Sequence, residues 1–253
     1  MDEADRLYAD LLTATELLSG PLESARLDRH DGYAFMLFPE LPLPSFNGIW
    51  AESDAAASVL EEAHGAVTSH GLPFGVLVRA GKTPAVEEAA GGLGLTEQLR
   101  LPAMAVTPDE LVTPADDVEI VRVETADGLA QSLALAAAGF GIPARMLACI
   151  YMLDVAEIEG IHYYLARADG KDVSTAIGLR IGDTVGIFNV ATPTEHRGHG
   201  YGAAVTAHAV AECFGAGAEL AWLQSSALGE SAYRRLGFRE VDAHLLFYAP
   251  HSH

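Results

Sequence analysis

Residues 189–206 read NVATPTEHRGHGYGAAVT and place three glycines, Gly198, Gly200 and Gly202, at alternate positions. The segment lies between an apolar run that predicts a strand over 184–190 and a stretch of small residues that predicts a helix. A glycine-rich turn between a strand and a helix lets backbone N–H groups point at one anion, because no side chain stands in the way. The helix N-terminus adds a partial positive charge. The segment therefore predicts a binding site for a phosphate or a pyrophosphate.

Two common nucleotide-binding loops fit this segment poorly. A P-loop needs Lys followed by Ser or Thr after its last glycine, whereas two alanines follow here, so this class is excluded. Gly198, Gly200 and Ala203 formally satisfy the dinucleotide pattern GxGxxG/A, but that fold needs an acidic residue at the end of the next strand. The next predicted strand ends in Gln224, and its only acid, Glu219, stands at its other end. The chain after the loop is also too short for the rest of a doubly wound sheet.

Length and composition limit the remaining function classes. The chain has 253 residues, half of them hydrophobic, which is enough for one large domain or two of ordinary size and excludes global disorder. The apolar runs are shorter than a membrane span, and the start, MDEADRLYAD, lacks the pattern of a signal peptide. Neither Cys149 nor Cys213 belongs to a CxxC motif or a Cys/His cluster. We therefore expect a cytoplasmic protein with no metal site and no membrane partner.

The charge of the chain narrows the choice of ligand and partner. The formal net charge is -20, and Lys82 and Lys171 are the only lysines. Such a surface repels phosphate backbones, so we expect no nucleic-acid binding. It would attract cationic small molecules such as amines, but a purely solubilising role is the favoured explanation of the charge, because net charge says little about a specific site.

Hydrophobic periodicity predicts two halves that are joined by a linker. The linker candidate is residues 107–118, TPDELVTPADDV, where periodicity is lost and two prolines occur. Before it we predict helices over 2–18, 55–69 and 85–90 and strands over 33–38, 73–78 and 101–106. After it we predict helices over 126–138, 144–153, from the glycines to about 214 and around 231, and strands over 119–123, 161–167, 173–181, 184–190, 219–224 and 244–248.

The two halves resemble each other, which indicates a duplicated unit. Phe46-Asn47 and Phe188-Asn189 lie 142 residues apart, and Leu93-Gly94-Leu95 and Leu236-Gly237-Phe238 lie 143 apart. Where the second half has RGHGYG, the first has WAESDAAA, so only one half carries the glycines. We predict a degenerate domain over residues 1–112 without a phosphate loop, and an intact domain over 113–253.

The segment around the glycines resembles the GNAT N-acetyltransferase superfamily. Residues 197–202, RGHGYG, are similar to its Q/R-x-x-G-x-G/A pyrophosphate loop, and FNVAT at 188–192 takes the place of the strand that pairs with the pantetheine arm. AWLQSS at 221–226 and SAYRRLGFREV at 231–241 resemble the following strand and the closing Y-x-x-L-G-F segment. The resemblance covers about residues 119–250 and departs locally, because Thr192-Pro193-Thr194-Glu195 replaces the T-x-P-E order. It implies an α/β fold of tandem GNAT-like units, each a mixed, mostly antiparallel sheet flanked by helices.

The resemblance also implies an activity, in which an acetyl group passes from acetyl-CoA to a primary amine, here of a small molecule, by direct attack on the thioester. Tyr233 would donate a proton to the leaving thiolate, or it would only pack on Phe238. Ser226 would lie near the cofactor arm or cap the helix that carries Tyr233. The other residues that the resemblance assigns to acetyl-CoA are Asn189, Val190 and Ala191 for pantetheine, and Arg197, Gly198, His199, Gly200, Tyr201 and Gly202 for pyrophosphate.

Several questions stay open at the level of sequence. No general base can be assigned, although Glu195, His196 and His162 are candidates by position. A non-catalytic acyl-CoA-binding module and a protein or peptide N-acetyltransferase are alternatives. The sequence also leaves open a homodimer, a longer acyl donor, and a role of the first half as a wall or an interface.

Overall fold

The computed structural model describes residues 2–114 and 118–250. Contacts within the chain divide it into two compact units. The glycine-loop unit consists of Met1–Leu18 and Ala103–Val241, and the second unit consists of Ser19–Pro102 and Asp242–His253.

The predicted α/β class is confirmed, with mostly antiparallel strands flanked by helices. The α-helices are α1 (Glu3–Ser19), α2 (Leu60–Ser69), α3 (Pro84–Gly92), α4 (Ala126–Phe140), α5 (Leu153–Ala156), α6 (Tyr201–Gly215) and α7 (Glu230–Arg235). The strands are β1 (Arg26–His30), β2 (Tyr33–Leu37), β3 (Asn47–Ala51), β4 (Gly75–Arg79), β5 (Glu97–Val106), β6 (Glu119–Val123), β7 (Ile161–Ala168), β8 (Lys171–Ile181), β9 (Thr184–Ala191), β10 (Leu220–Gln224) and β11 (Arg239–Tyr248). Short 3-10 helices cover Pro44–Phe46, Asp54–Val59, Ala144–Met146, Ala148–Tyr151 and Thr194–His196.

In each unit one parallel strand pair interrupts an antiparallel sheet. In the glycine-loop unit β6, β7, β8 and β9 pair in antiparallel order, β9 pairs with β10 in parallel, and β10 pairs antiparallel with the end of β5, residues Ala103 to Val106. In the second unit β1, β2 and β3 pair antiparallel, β3 pairs with β4 in parallel, and β4 pairs antiparallel with the end of β11. Parallel pairing requires a crossover, and α6 makes this crossover between β9 and β10. The start of α6 therefore lies at the carboxyl end of β9.

Local turn chemistry explains why the central hairpins form where the sequence predicts them. Asp169 and Gly170 both have positive φ, 51° and 73°, in the turn between β7 and β8. Gly182 has φ 61° in the turn between β8 and β9. Tight two-residue hairpin turns need such left-handed residues, which Asp-Gly and Gly-Asp pairs supply.

Several sequence-based assignments differ from the structure. The first five residues of the predicted helix over 55–69 belong to a 3-10 helix that precedes α2. β1 was not predicted, because its sequence RLDRH is charged and has no apolar alternation. β3 was also missed, because it follows a proline-rich segment that predicts only a loop. The predicted helix over 144–153 is wrong: the segment forms two 3-10 turns, and extended backbone at Met152 (φ -76°, ψ 152°) interrupts it before α5.

The predicted boundary between residues 112 and 113 stays a prediction, as does the duplication. The compact units interleave along the chain, and a single boundary does not describe that arrangement. Of the predicted linker 107–118, residues 115–117 lie outside the described residues, and the others form no helix or strand.

The two pairs of matching sequence fragments differ in structural equivalence. Gly94 and Gly237 both follow a helix, α3 and α7, and have positive φ of 78° and 94°. Asn47, in contrast, opens β3, whereas Asn189 lies near the end of β9. Of the two pairs, Gly94 and Gly237 therefore occupy equivalent positions after a helix, whereas Asn47 and Asn189 lie at opposite ends of their strands.

A buried apolar cluster holds α6 against the sheet of the glycine-loop unit. Val205 and Val210 of α6 pack with Ile187 of β9, Leu223 of β10 and Met104 of β5, each at most 3 % exposed. Burying such side chains stabilises this arrangement by roughly 1.5–3 kcal/mol each. Within residues 2–114 and 118–250, no helix combines the length and apolar character that crossing a membrane requires.

Candidate active site

The two parallel strands of the glycine-loop unit part at their carboxyl ends. Their ladder ends at the pair Ile187–Leu223, although β9 continues to Ala191. β9 also carries one extra residue opposite β8, since Phe188 pairs with Ile177 and Ala191 pairs with Thr175. A β-bulge of this kind bends the strand that carries it. The backbone edge of β9 beyond Ile187 is therefore left open toward the end of β10.

Asn189 lies in the bulge and has left-handed backbone, with φ 48°. Asparagine tolerates this conformation better than most residues do. Its side-chain Nδ2 donates to the Tyr151 hydroxyl at 3.4 Å. The Tyr151 ring lies 5.5 Å from the Tyr163 ring, and the Tyr163 hydroxyl donates to the carbonyl of Ile150. The side chain of Asn189 thus contacts a buried tyrosine pair.

A cleft of about 330 Å³ opens where β9 and β10 part. Its walls come from the ends of β9 and α4, the glycine loop, the first turn of α6, the segment after β10, and α7. It brings together nine of the eleven predicted site residues, whereas Asn189 and His199 do not line it. The lining residues are Gly139, Phe140, Val190, Ala191, Thr192, His196, Arg197, Gly198, Gly200, Tyr201, Gly202, Ala203, Ser226, Leu228, Gly229, Ala232, Tyr233 and Arg235.

Glycine is needed at the three positions of the loop for different structural reasons. Gly198 and Gly200 have φ 83° and 80°, a conformation that residues with a Cβ rarely adopt. A Cβ on Gly202 would lie 3.2 Å from Thr192 Oγ1, so the absent side chain lets α6 approach the end of β9. Gly200 precedes α6 and offers no capping side chain. The first N–H groups of α6, which lack partners within the helix, therefore face the cleft without a side-chain cap.

The guanidinium of Arg197 hydrogen-bonds to backbone carbonyls. Its Nε donates to the Thr192 carbonyl at 3.0 Å, and its Nη2 donates to the Gly139 carbonyl at 2.7 Å. Arg197 therefore links the chain after β9 to the C-terminal turn of α4. The sequence did not predict this contact, because Gly139 lies 58 residues away along the chain.

The charge of the cleft is opposite to the charge of the chain. Arg197, Arg235 and His196 line it, and among the described residues the lining contains no aspartate or glutamate. The whole chain has 35 acidic residues against 15 lysines and arginines. A carboxylate-free lining with two guanidinium groups favours an anionic ligand.

Tyr233 takes part both in packing and in lining the cleft. Its ring lies 5.9 Å from the ring of Phe238 at an interplanar angle of 60°, a favourable edge contact. Within residues 2–114 and 118–250, no group hydrogen-bonds its hydroxyl. Desolvation raises the pKa of Tyr233 to about 12, so the phenol is protonated at neutral pH.

Of its two predicted positions, Ser226 takes the one at the cleft, which it lines. It is not the N-cap of α7, which is Gly229 without a side-chain cap. Its Oγ accepts from the Gly229 N–H at 3.3 Å within the turn that precedes the helix. A Cβ on Gly229 would lie 2.9 Å from the Tyr233 ring, so this glycine leaves room for the tyrosine.

The three candidate bases have different surroundings. His196 lines the cleft, whereas Glu195 and His162 do not. His162 Nδ1 lies 2.7 Å from an Arg122 guanidinium nitrogen. Burial, and then the charge of Arg122, lower the pKa of His162. Its position on β7 beside Arg122 gives it no part in the cleft.

Comparison with known proteins agrees with this architecture. Residues 159–240 match the family model described as an acetyltransferase (GNAT) domain. No curated protein sequence matches the chain. A GCN5-related N-acetyltransferase from Kribbella flavida has 22% identity and a TM-score of 0.71, over 97% of this chain and 96% of that chain.

Two further solved structures have the same fold over almost their whole length. A conserved protein of unknown function from Staphylococcus epidermidis has 12% identity and a TM-score of 0.67, over 92% of this chain and 98% of that chain. A GCN5-related N-acetyltransferase from Sphaerobacter thermophilus has 13% identity and a TM-score of 0.62, over 96% and 91%. At these identities the structural likeness shows a shared fold.

Proposed function

Since the domain at residues 159–240 belongs to the GNAT superfamily of acetyltransferases, we propose that this protein transfers an acetyl group from acetyl-CoA to a primary amine of a small molecule. The observation that carries the proposal is the cleft at the parted ends of β9 and β10, whose described lining holds two arginines and no carboxylate. It combines an open strand edge, a glycine loop and an uncapped helix start, which are the groups that an extended, phosphate-bearing thioester would use.

We expect each part of acetyl-CoA, the proposed donor, to contact a different part of the cleft wall. The open backbone edge of Val190 and Ala191 would pair with the pantetheine amides as a further strand would. The N–H groups from Gly198 to Gly202 would bind the pyrophosphate, since a helix N-terminus favours such an anion. With these contacts the thioester would lie toward Tyr233.

In the proposed reaction the neutral amine attacks the thioester carbon directly. A C–N bond forms, the C–S bond breaks, and its electron pair leaves with the sulfur. The amine loses one proton to water, the Tyr233 hydroxyl supplies one to the sulfur, and the resulting phenolate takes one proton back from water. The raised pKa of Tyr233 keeps this proton in place at neutral pH.

The charge of the chain supports an amine acceptor. With a net charge of -20, the protein attracts cations to its surface, and most amines arrive protonated. The attacking form must be neutral, so we expect the transfer rate to rise with pH until the acceptor amine has lost its proton.

The first experiment compares two glycine-to-glutamate substitutions by calorimetric titration with acetyl-CoA. Gly198 lines the cleft with φ 83°, whereas Gly170 lies in the turn between β7 and β8 with φ 73° and does not line it; a Cβ at either position meets open space. Gly198→Glu places a negative charge at the proposed pyrophosphate site, and we expect it to abolish measurable binding. Gly170→Glu has the same backbone strain and charge, and we expect wild-type affinity.

An amine panel then follows with the wild-type protein. Acetyl transfer to small amines would support the proposal. Binding of acetyl-CoA without transfer to any amine or peptide would indicate the non-catalytic alternative. Transfer to peptides alone would show that the acceptor is a peptide and not a small amine. If wild-type protein fails to bind acetyl-CoA, the proposed function is wrong.

A further inference from the structure

The two arginines of the cleft, Arg197 and Arg235, differ in their hydrogen-bond partners. Arg197 already donates to two backbone carbonyls, those of Thr192 and Gly139. Arg235 is exposed at the end of α7, and among the described residues it has no hydrogen bond or ion pair. Within the described part of the chain, Arg235 is therefore the cleft arginine whose guanidinium has all its donors available to a ligand.

The neighbouring arginine shows that α7 does not leave its cations unpaired in general. Arg234 donates to Glu230 at 2.8 and 3.0 Å and to Glu240 at 3.2 Å. Arg235 is the next residue, and it faces the cleft, in which the described residues place no carboxylate. The described residues of this acidic chain leave the Arg235 guanidinium without a partner, so its full set of donors is available to bind a phosphate.

The position of Arg235 indicates which phosphate it would bind. The glycine loop and the start of α6 form one wall of the cleft and suit the pyrophosphate. Arg235 and Ala232 belong to α7, a separate wall. CoA carries a third phosphate, on the 3′-oxygen of its ribose, which the N–H groups of the loop would leave without a partner.

Resting on the proposed function, we infer that Arg235 binds the 3′-phosphate of CoA, whereas Arg197 is a positioning residue that ties α4 to the chain after β9. A phosphate accepts two parallel hydrogen bonds from one guanidinium. Arg235 would thus make the protein prefer CoA to 3′-dephospho-CoA. Arg197 would affect both ligands alike, because it acts through the shape of the wall.

The test is calorimetric titration of CoA and of 3′-dephospho-CoA into wild type, Arg235→Gln, Arg234→Gln and Arg197→Met. We expect wild type to prefer CoA by about 10- to 100-fold, the range of a charge-assisted contact. Arg235→Gln should abolish the preference by weakening CoA alone. Arg234→Gln, the matched control, should keep it. Arg197→Met should weaken both ligands by the same factor and lower the melting temperature.

The outcomes separate this inference from the proposed function. If wild type binds CoA but Arg235→Gln still prefers CoA to the dephospho form, or if wild type has no preference, the assignment of Arg235 is wrong and the proposed function stands. If Arg197→Met removes only the preference, the two roles are exchanged. If wild type binds neither ligand, the proposed function fails and the inference fails with it.

Discussion

The Tyr233 side chain packs on a neighbouring aromatic ring and also lines the cleft. Its ring rests on Phe238 while its hydroxyl has no hydrogen-bond partner among the described residues. The sequence suggested these two roles as alternatives, and the geometry accommodates both. Desolvation raises the pKa of the partly buried Tyr233 phenol to about 12, so the phenol holds its proton well above neutral pH. It can therefore serve as a donor without being a base.

We predict that Tyr233→Phe lowers the acetyl-transfer rate at saturating substrate by about 100-fold, the lower range for the loss of an acid catalyst. The ring is kept, so acetyl-CoA affinity should change less than about threefold. Steady-state kinetics and calorimetric titration measure the two effects separately.

Phe238→Leu is the control for this prediction, since it removes the ring contact and keeps the hydroxyl. We expect it to lower stability more than Tyr233→Phe does. In wild type the raised pKa keeps the Tyr233 phenol protonated above pH 10, where a free phenol ionises. At pH values up to about 11 we therefore expect no loss of transfer rate from ionisation of Tyr233. If Tyr233→Phe transfers acetyl groups at the wild-type rate, Tyr233 is not the proton donor to the leaving sulfur.

At the scale of elements, the approach of α4 to the end of β9 depends on Gly139. A Cβ there would lie 2.9 Å from Ala191 Cβ and 3.1 Å from the Thr192 backbone nitrogen. The Gly139 carbonyl also accepts from Arg197. A side chain at this position must push α4 away from the cleft wall.

We predict opposite effects for two helix glycines replaced by alanine. Gly139→Ala should destabilise the protein by about 1–3 kcal/mol through overpacking and weaken acetyl-CoA binding. Gly65→Ala in α2, where a Cβ meets nothing within 4 Å, should stabilise it by about 0.5–1 kcal/mol. Chemical denaturation of both variants measures the two signs. A stabilising Gly139→Ala would contradict the close approach.

At the scale of the whole molecule, stability should depend on one buried histidine of the second unit. His244 is 1 % exposed and lies opposite Arg79 across the β4–β11 pair. Desolvation, aided by Arg79 and opposed by Asp242, lowers the pKa of His244 to about 4 from an ordinary 6.5. The folded chain therefore holds His244 neutral in a range where the unfolded chain binds a proton.

This difference gives the pH dependence its sign. Its contribution to stability is complete above pH 6.5 and is lost progressively as the pH falls toward 4, by up to about 3 kcal/mol. We predict that His244→Gln flattens the unfolding free energy between these pH values in urea titrations. His70→Gln, at an exposed position, should leave the slope as in wild type. An unchanged slope in His244→Gln would contradict the prediction.

Local signals in the sequence were sufficient for most of the glycine-loop unit. Asp169-Gly170 and Gly182-Asp183 determine two tight turns by their own backbone preferences, and the strands beside them are apolar enough to be found. The segment 144–153 was assigned wrongly, because its composition suits a helix while the extended backbone at Met152 interrupts it. Tyr151, which contacts Asn189, could not be placed from that segment alone.

The sequence by itself determined the glycine loop, its position between a strand and a helix, and the motif that carries Tyr233. These features depend on backbone conformations and spacings within a few residues, which the residue types already specify. Only the tertiary structure decided where β9 and β10 part, which backbone carbonyls accept from Arg197, and that Arg235 has no partner among residues 2–114 and 118–250. Each of these depends on groups that are distant along the chain and meet only when the sheet and its helices pack, so no local pattern encodes them.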